Sequence, residues 1–234
     1  MVARADVAAA VRAALEESAT LFGWAAARPG REVFHGRGEA YGVSLGAVRA
    51  VVRHARRGGL LGPLLADRFV GRPRFLREIE LAESLRAAGI PTPPVLAGVA
   101  YAATLWHRAD VATERVAGRD LAAILFGDGP PTGPARTEML REVGRLVRRL
   151  HEAGFVHPDL QLRNVLIESG PAGPKAWLLD VDTCRLLAPG DAEGRQANLA
   201  RFERSWEKWN RLKGPRLTSA DRDAFEAGYR GAAL

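Results

Sequence analysis

The chain has 234 residues, nearly half of them apolar, and its 34 Lys and Arg against 27 Asp and Glu leave a formal charge of +7. That length suits one compact unit or two small lobes, with room for a core. No run approaches the eighteen apolar residues of a membrane span, and the lone Cys184 excludes an internal disulfide, as suits a reducing cytosol.

The first residues lack the apolar stretch of a secretory signal, and an amphipathic helix is predicted from about residue 6 to 22. Its apolar stripe is Val7, Val11, Leu15, Ser18 and Phe22. Three short strands follow over residues 31–35, 40–45 and 48–54, punctuated by Gly36, Gly38, Gly42 and Gly46. After an Arg- and Gly-rich loop, a second helix is predicted over residues 73–88, stopped by Gly89 and by Pro91, Pro93 and Pro94. A strand pair over 95–103 and 104–113 leads to a short connector ending at Gly118. A Pro/Gly loop over 127–134 precedes a helix over 135–152, with Leu140, Val143, Val147 and Leu150 at core spacing. A hairpin over 164–168 and 176–180 and two helices, 193–213 and 219–229, complete the pattern. In the first of these helices Leu199, Phe202, Trp206, Trp209 and Leu212 form one face. Arg201, Arg204, Lys208 and Arg211 form an opposite, solvated one.

Chemistry concentrates between the last long loop and the hairpin. His157-Pro158-Asp159 precedes Asn164 by a D-x-x-x-x-N spacing, and Leu178-Leu179-Asp180 ends the paired strand. Phosphoryl transfer needs a carboxylate within reach of the acceptor hydroxyl and oxygen ligands for Mg²⁺. Asp159 is the candidate base. Asn164 and Asp180 are the candidate metal ligands, which antiparallel pairing of the hairpin brings together. His157 buttresses the loop rather than doing chemistry. Pro158 stands where protein kinases carry the Arg that reads a phosphorylated activation loop, so no such control is expected.

Two further parts complete a nucleotide site. Ala50-Val51-Val52-Arg53 has the shape of a Val-Ala-Ile-Lys strand with Arg for Lys, and Glu78 on the following helix is its expected partner, with Glu80 and Glu83 as rivals. His54 points the other way. Gly36 and Gly38, with Gly42, resemble a phosphate-covering loop whose spacing is off by one. Asp182 caps a turn or assists the metal, and Cys184 is an inert small side chain. The overall pattern is an α+β, two-lobed protein-kinase-like fold with a reduced, mostly helical C-lobe and an extra N-terminal helix. Its expected divisions are a lead-in over 1–30, an N-lobe over 31–112, a hinge over 113–118 and a C-lobe over 119–234.

The chain resembles the lipopolysaccharide kinase family. The likeness rests on Val52-Arg53-His54-Ala55-Arg56-Arg57-Gly58-Gly59, Arg77-Glu78, Gly89-Ile90-Pro91-Thr92-Pro93, Thr113-Glu114-Arg115, His157-Pro158-Asp159-Leu160 and Leu179-Asp180-Val181-Asp182. It runs from about Gly36 to Ala227-Gly228-Tyr229-Arg230. The resemblance implies ATP- and Mg²⁺-dependent phosphorylation of a sugar hydroxyl on 3-deoxy-D-manno-octulosonic acid (Kdo) attached to a lipid A precursor, or on a related anionic glycolipid. The implied place is cytoplasmic, at the inner face of the inner membrane, with peripheral contact to anionic lipid. It makes Asp159 the base, Asn164 and Asp180 the Mg²⁺ ligands, Arg53 the phosphate contact, Glu78 its partner and Glu114 the residue whose backbone meets adenine. Val181, where the family more often has Phe, and the long N-terminal helix depart from the pattern.

The basic balance favours an anionic acceptor over the cationic substrates of aminoglycoside-type kinases, with Arg56, Arg57, Arg68, Arg72 and Arg74 placed to flank it. A nucleic-acid module would rest on charge alone and is not expected. Another sugar kinase of the same fold, or a non-catalytic pseudokinase of envelope assembly, are the alternatives.

Overall fold

A computed structural model describes residues 1–35, 38–55, 71–103 and 106–231. Helices and sheet are mixed, and the chain divides into two compact units: Met1–Ala82 with Pro93–Arg115, and Glu83–Thr92 with Val116–Leu234.

The first unit is built on six antiparallel strands: β1 (Val2–Ala3), β2 (Glu32–His35), β3 (Glu39–Leu45), β4 (Val48–His54), β5 (Val95–Ala103) and β6 (Trp106–Glu114). Their order across the sheet is β1-β5-β6-β4-β3-β2. Leu45 pairs with Val48, so Gly46 and Ala47 form a two-residue hairpin loop, and Gly46 takes φ 63, where a side chain is disfavoured. The buried face of the sheet, including Val43, Leu45, Val52, Leu96 and Val99, packs on Val11, Leu21 and Trp24 from the N-terminal segment.

That segment is two helices rather than the single one expected over residues 6–22. Helix α1 (Ala8–Glu17) ends where Ser18 turns extended (φ −146, ψ 147), and α2 (Leu21–Ala26) starts afresh. Thr20 caps α2 by accepting the Gly23 N–H at 2.9 Å. Ser and Thr side chains favour such caps over helix interiors, which explains the break. The restart is also pinned from the sheet. Fully buried Asp110 of β6 accepts from Phe22 N at 2.8 Å and from the Tyr101 hydroxyl at 2.9 Å, and meets His54 Nδ1 at 2.5 Å. The Tyr101 oxygen accepts in turn from Leu21 N at 2.7 Å, and burial pushes its phenol far up.

Helix α3 (Arg74–Ala87) ends in a Schellman motif. Gly89, at φ 77, donates to Arg86 O at 3.0 Å and Ile90 donates to Leu85 O at 2.9 Å, with Ile90 and Leu85 both buried.

The second unit contains β7 (Arg119–Asp120), α4 (Leu121–Phe126), α5 (Gly133–Glu152), β8 (Phe155–Val156), β9 (Val165–Gly170), β10 (Gly173–Leu178), β11 (Arg185–Leu186), α6 (Ala192–Lys213) and α7 (Ser219–Arg230). Strands β10, β9 and β7 form a three-stranded sheet, and β11 pairs with β8. The short α4 was not expected from periodicity; Asp120 starts it by accepting the Ala123 N–H at 2.9 Å. Helices α5 and α7 cross at backbone contact. A Cβ on Gly144 would sit 2.1 Å from Phe225 O, and one on Gly228 would sit 2.1 Å from Arg141 O. Arg136 adds a two-pronged bond to Asp221, which forms a capping box with the N-cap Thr218 of α7: Nε to Asp221 Oδ1 at 2.6 Å and Nη2 to Oδ2 at 2.8 Å.

Helix α6 turns differently from its predicted face. Asn198, Phe202, Ser205 and Trp206 are buried, whereas Leu212 is 62% exposed. The inward face therefore carries two polar side chains, and both reach the catalytic segment.

Candidate active site

In the first unit the Arg53 and Glu78 side chains meet. Strand β4 presents Arg53, α3 presents Glu78, and Arg53 Nη2 donates to Oε1 at 2.5 Å and Oε2 at 2.6 Å. Glu78 is buried, whereas Glu80 pairs with exposed Arg72 and Glu83 is exposed, so the rivals lie elsewhere. A buried carboxylate and a guanidinium whose side chain is 28% exposed thus form a two-pronged, charge-assisted pair.

Gly36 lies outside the described residues, as do Arg56, Arg57 and Arg68. Gly38 comes directly before β3. Gly42 is within β3, not in the turn: a Cβ there would sit 2.9 Å from Glu32 Cβ, so close strand packing accounts for it. Glu114 ends β6. Its N–H donates to Pro94 O at 2.9 Å and its carboxylate meets Arg4 Nη1 at 3.2 Å.

In the second unit β8 leads into the catalytic segment and a 3-10 turn, Leu162–Asn164, leads out into β9. Leu179 N donates to Asn164 O at 2.9 Å, one step beyond the last ladder pair, Leu178 with Val165. The pairing thus sets Asn164 beside the residue preceding Asp180. Asn164 is buried, and its Nδ2 donates to the Asp159 carbonyl at 2.8 Å. Its amide oxygen then has no protein donor among the described residues, and neither does the exposed Asp180 carboxylate. Asp180 adopts φ 54, ψ 44, the left-handed conformation; among the described residues no other non-glycine has positive φ. Such strain concentrates at functional positions.

No group of three His, Cys, Asp or Glu is poised for a metal among the described residues. One amide oxygen and one carboxylate nevertheless fit Mg²⁺, which binds through one or two protein oxygens and takes its other positions from water and phosphate. Asp182 sits inside the 3-10 turn Val181–Thr183. Cys184 is fully buried, its thiol pushed up to about 12 by burial and by the nearby Asp182 charge, and it is inert accordingly.

His157 is fully buried and does hold the loop. Its Nε2 donates to Leu179 O at 2.9 Å, tying the catalytic segment to the strand before Asp180. Burial holds its imidazole below the ordinary histidine value, so it is neutral near pH 7.

The residues that escaped sequence reasoning come mainly from α6, with Gln161 of the loop and His151 of α5 beside them. Asn198 clasps the His157 backbone from both sides: Nδ2 donates to His157 O at 2.6 Å, and Oδ1 accepts from His157 N at 3.2 Å. The same Oδ1 accepts from His151 Nε2 at 3.0 Å. Ser205 Oγ accepts from Leu162 N at 3.2 Å. Arg201, expected on the solvated face, donates from Nη2 to Asp159 Oδ1 at 2.7 Å, while Gln161 Nε2 donates to Oδ2 at 3.1 Å. Positions 198, 201 and 205 share one helix face. The available signal was their polar spacing beside the apolar stripe, which sequence alone cannot tell from a solvated flank.

A family model described as "Lipopolysaccharide kinase (Kdo/WaaP) family" matches residues 26–229. The chain belongs to the lipopolysaccharide kinase (Kdo/WaaP) family. Its relatives include a Vibrio cholerae protein named 3-deoxy-D-manno-octulosonic acid kinase, 37% identical over 178 residues, which span 74% of this chain and 72% of that protein. A protein of the same name from Actinobacillus succinogenes is 36% identical over 196 residues, 80% of this chain and 78% of that one. Another, from Haemophilus influenzae, is 35% identical over 171 residues, 69% and 67%. Membership of a kinase family implies use of ATP. No described helix is long and apolar enough to cross a membrane.

Proposed function

We propose that this lipopolysaccharide kinase family member transfers the terminal phosphate of ATP to a hydroxyl of the Kdo sugar of a lipid A precursor. The observation that carries the reading is the second unit's constellation. Asp159 stands at the head of a loop clasped by α6, and at the open end of the hairpin behind it the side-chain oxygens of Asn164 and Asp180 have no protein donor among the described residues. Relatives at 33–37% identity are named for Kdo as acceptor, which supports the same acceptor class here.

Asp159 takes the proton of the acceptor hydroxyl as its oxygen attacks the terminal phosphorus, and ADP leaves. Catalysis of this kind is positioning and charge neutralisation. The α6 clasp and the His157–Leu179 bond fix where Asp159 sits, and Arg53, steadied by Glu78, supplies positive charge to the nucleotide phosphates. When bound, Mg²⁺ held by Asn164 and Asp180 neutralises phosphate charge. The segment at Glu114 presents backbone to adenine. Because the Glu114 N–H is already taken by Pro94, that contact falls to carbonyls or to following residues.

We read residues 31–112 as the nucleotide lobe of a two-lobed kinase, with 1–30 as its lead-in, 113–118 as hinge and 119–234 as catalytic lobe. The place of action is the cytoplasmic side of the inner membrane, through peripheral contact of the basic surface with anionic lipid. Arg53 in place of lysine is the one observation favouring a second reading, a nucleotide-holding pseudokinase. Labelled ATP with Kdo-lipid A precursor and a panel of other sugar acceptors separates them. Transfer to the Kdo acceptor is expected. Transfer to another sugar alone moves the chain to a different acceptor, and ATP binding without transfer establishes the pseudokinase.

A further inference from the structure

The Arg201 guanidinium reaches the catalytic carboxylate, but only in part. One of its N–H groups bonds Asp159 Oδ1 at 2.7 Å, and no other protein acceptor among the described residues takes the remaining ones. Its side chain is 30% exposed, that of Asp159 23%. A guanidinium has five donors in a rigid fork whose geometry matches a carboxylate in two-pronged fashion. A cation serving only to orient Asp159 has no need of open donors facing solvent at the base.

The position of Arg201 is also built. Asn198, one turn before it, bonds both backbone groups of His157, and Ser205, one turn after, accepts from Leu162 N. Both anchors grip the loop that carries Asp159, so base and guanidinium are held together as one unit. The relatives are named for an acid acceptor, and a sugar acid brings a second carboxylate toward Asp159. Two anions at close range repel unless a cation lies between them.

We infer that Arg201 binds the carboxylate of the acceptor sugar acid, beside the hydroxyl that Asp159 deprotonates. The inference rests on the kinase reading above. It makes Arg201 an acceptor-binding residue that selects an acid over a neutral sugar, through charge and the two-pronged fit.

The test compares Kdo-lipid A precursor with the same molecule methyl-esterified at the Kdo carboxyl, using wild type, Arg201→Gln and Arg201→Lys. Arg201→Gln is expected to lose about 10–100-fold in kcat/KM on the acid, the range of one charge-assisted hydrogen bond. The loss falls mainly in the acceptor KM and the ATP KM is unchanged; because Arg201 also bonds Asp159, activity on the ester falls as well, but the acid-to-ester ratio of kcat/KM drops about tenfold below that of wild type. Arg201→Lys, with charge but no fork, is expected between the two. The ratio of acid to ester activity within one preparation is independent of how much of the variant has folded. An equal loss on both acceptors, or a wild type indifferent to esterification, overturns the inference. A wild type that phosphorylates neither acceptor overturns the kinase reading itself, and this assignment with it.

Discussion

Replacing Asn198 by Ala removes the clasp on the catalytic loop while leaving every proposed chemical group in place. Asn198 is 4% exposed, and its loss strands two buried groups, the His157 N–H and His151 Nε2, and takes one of two donors from the His157 carbonyl, which keeps the Leu160 N–H at 2.8 Å. Each buried group left without a partner costs about 1–3 kcal/mol. Relaxation and entry of water reduce the sum, so about 3–4 kcal/mol is expected for the variant. For a chain of this size 1 kcal/mol moves the melting temperature by roughly 2–4 °C, so a fall of about 10 °C follows. Thermal unfolding followed by circular dichroism reads this directly. Phosphate transfer measured well below the melting temperature should also fall, because the loop carrying Asp159 loses its backbone anchors. A melting temperature within about 1 °C of wild type would refute the reasoning, since it would mean that the clasp carries no net energy.

Gly144→Ala, normally favourable in a helix by about 1 kcal/mol, is expected instead to destabilise by about 3 kcal/mol, because the added methyl meets Phe225 O; a raised melting temperature would contradict it. Stability should also fall with acid in two stages. Burial holds the His151 imidazole below its ordinary value of 6.5, so the unfolded chain protonates first. The His151 contribution is therefore complete above about pH 6.5 and declines as pH falls through the folded value. Burial alone would raise the Asp221 carboxyl, but Arg136 and the Thr218 bonds outweigh it and hold it below 3.8. Its contribution thus persists above that value and disappears as pH falls through the lower folded one. Melting temperature measured from pH 8 to pH 3 checks both stages; a profile flat or rising from pH 7 to 5.5 would contradict the first.

Much of this architecture is legible in the sequence because it is local. Strand β4 at Val48–His54, β5 at Val95–Ala103 and the bulk of α3, α5, α6 and α7 follow from periodicity and from Gly and Pro punctuation. The break between α1 and α2 was missed because the stripe from Val7 to Phe22 continues in phase across Ser18 and Thr20. Only the capping bond of Thr20 and the distant Asp110 and Tyr101 partners decide for two helices. The same holds at the site. Asp159, Asn164 and Asp180 announce themselves by spacing along one stretch of chain. Asn198, Arg201 and Ser205 lie some forty positions away and gain meaning only when α6 is laid against the loop. Gly144 and Gly228 likewise look like weak points in helices until the crossing shows that nothing larger fits.

The central claim is that Asp159, held on its loop by α6, is the base of a phosphoryl transfer to the Kdo sugar. The most direct measurement is the rate of labelled phosphate transfer from ATP to Kdo-lipid A precursor by wild type and by Asp159→Asn, with melting temperatures recorded for both. The expected result is product with wild type, a loss of about 10²–10⁴-fold in the variant and an intact fold. Transfer by Asp159→Asn at the wild-type rate would contradict the claim.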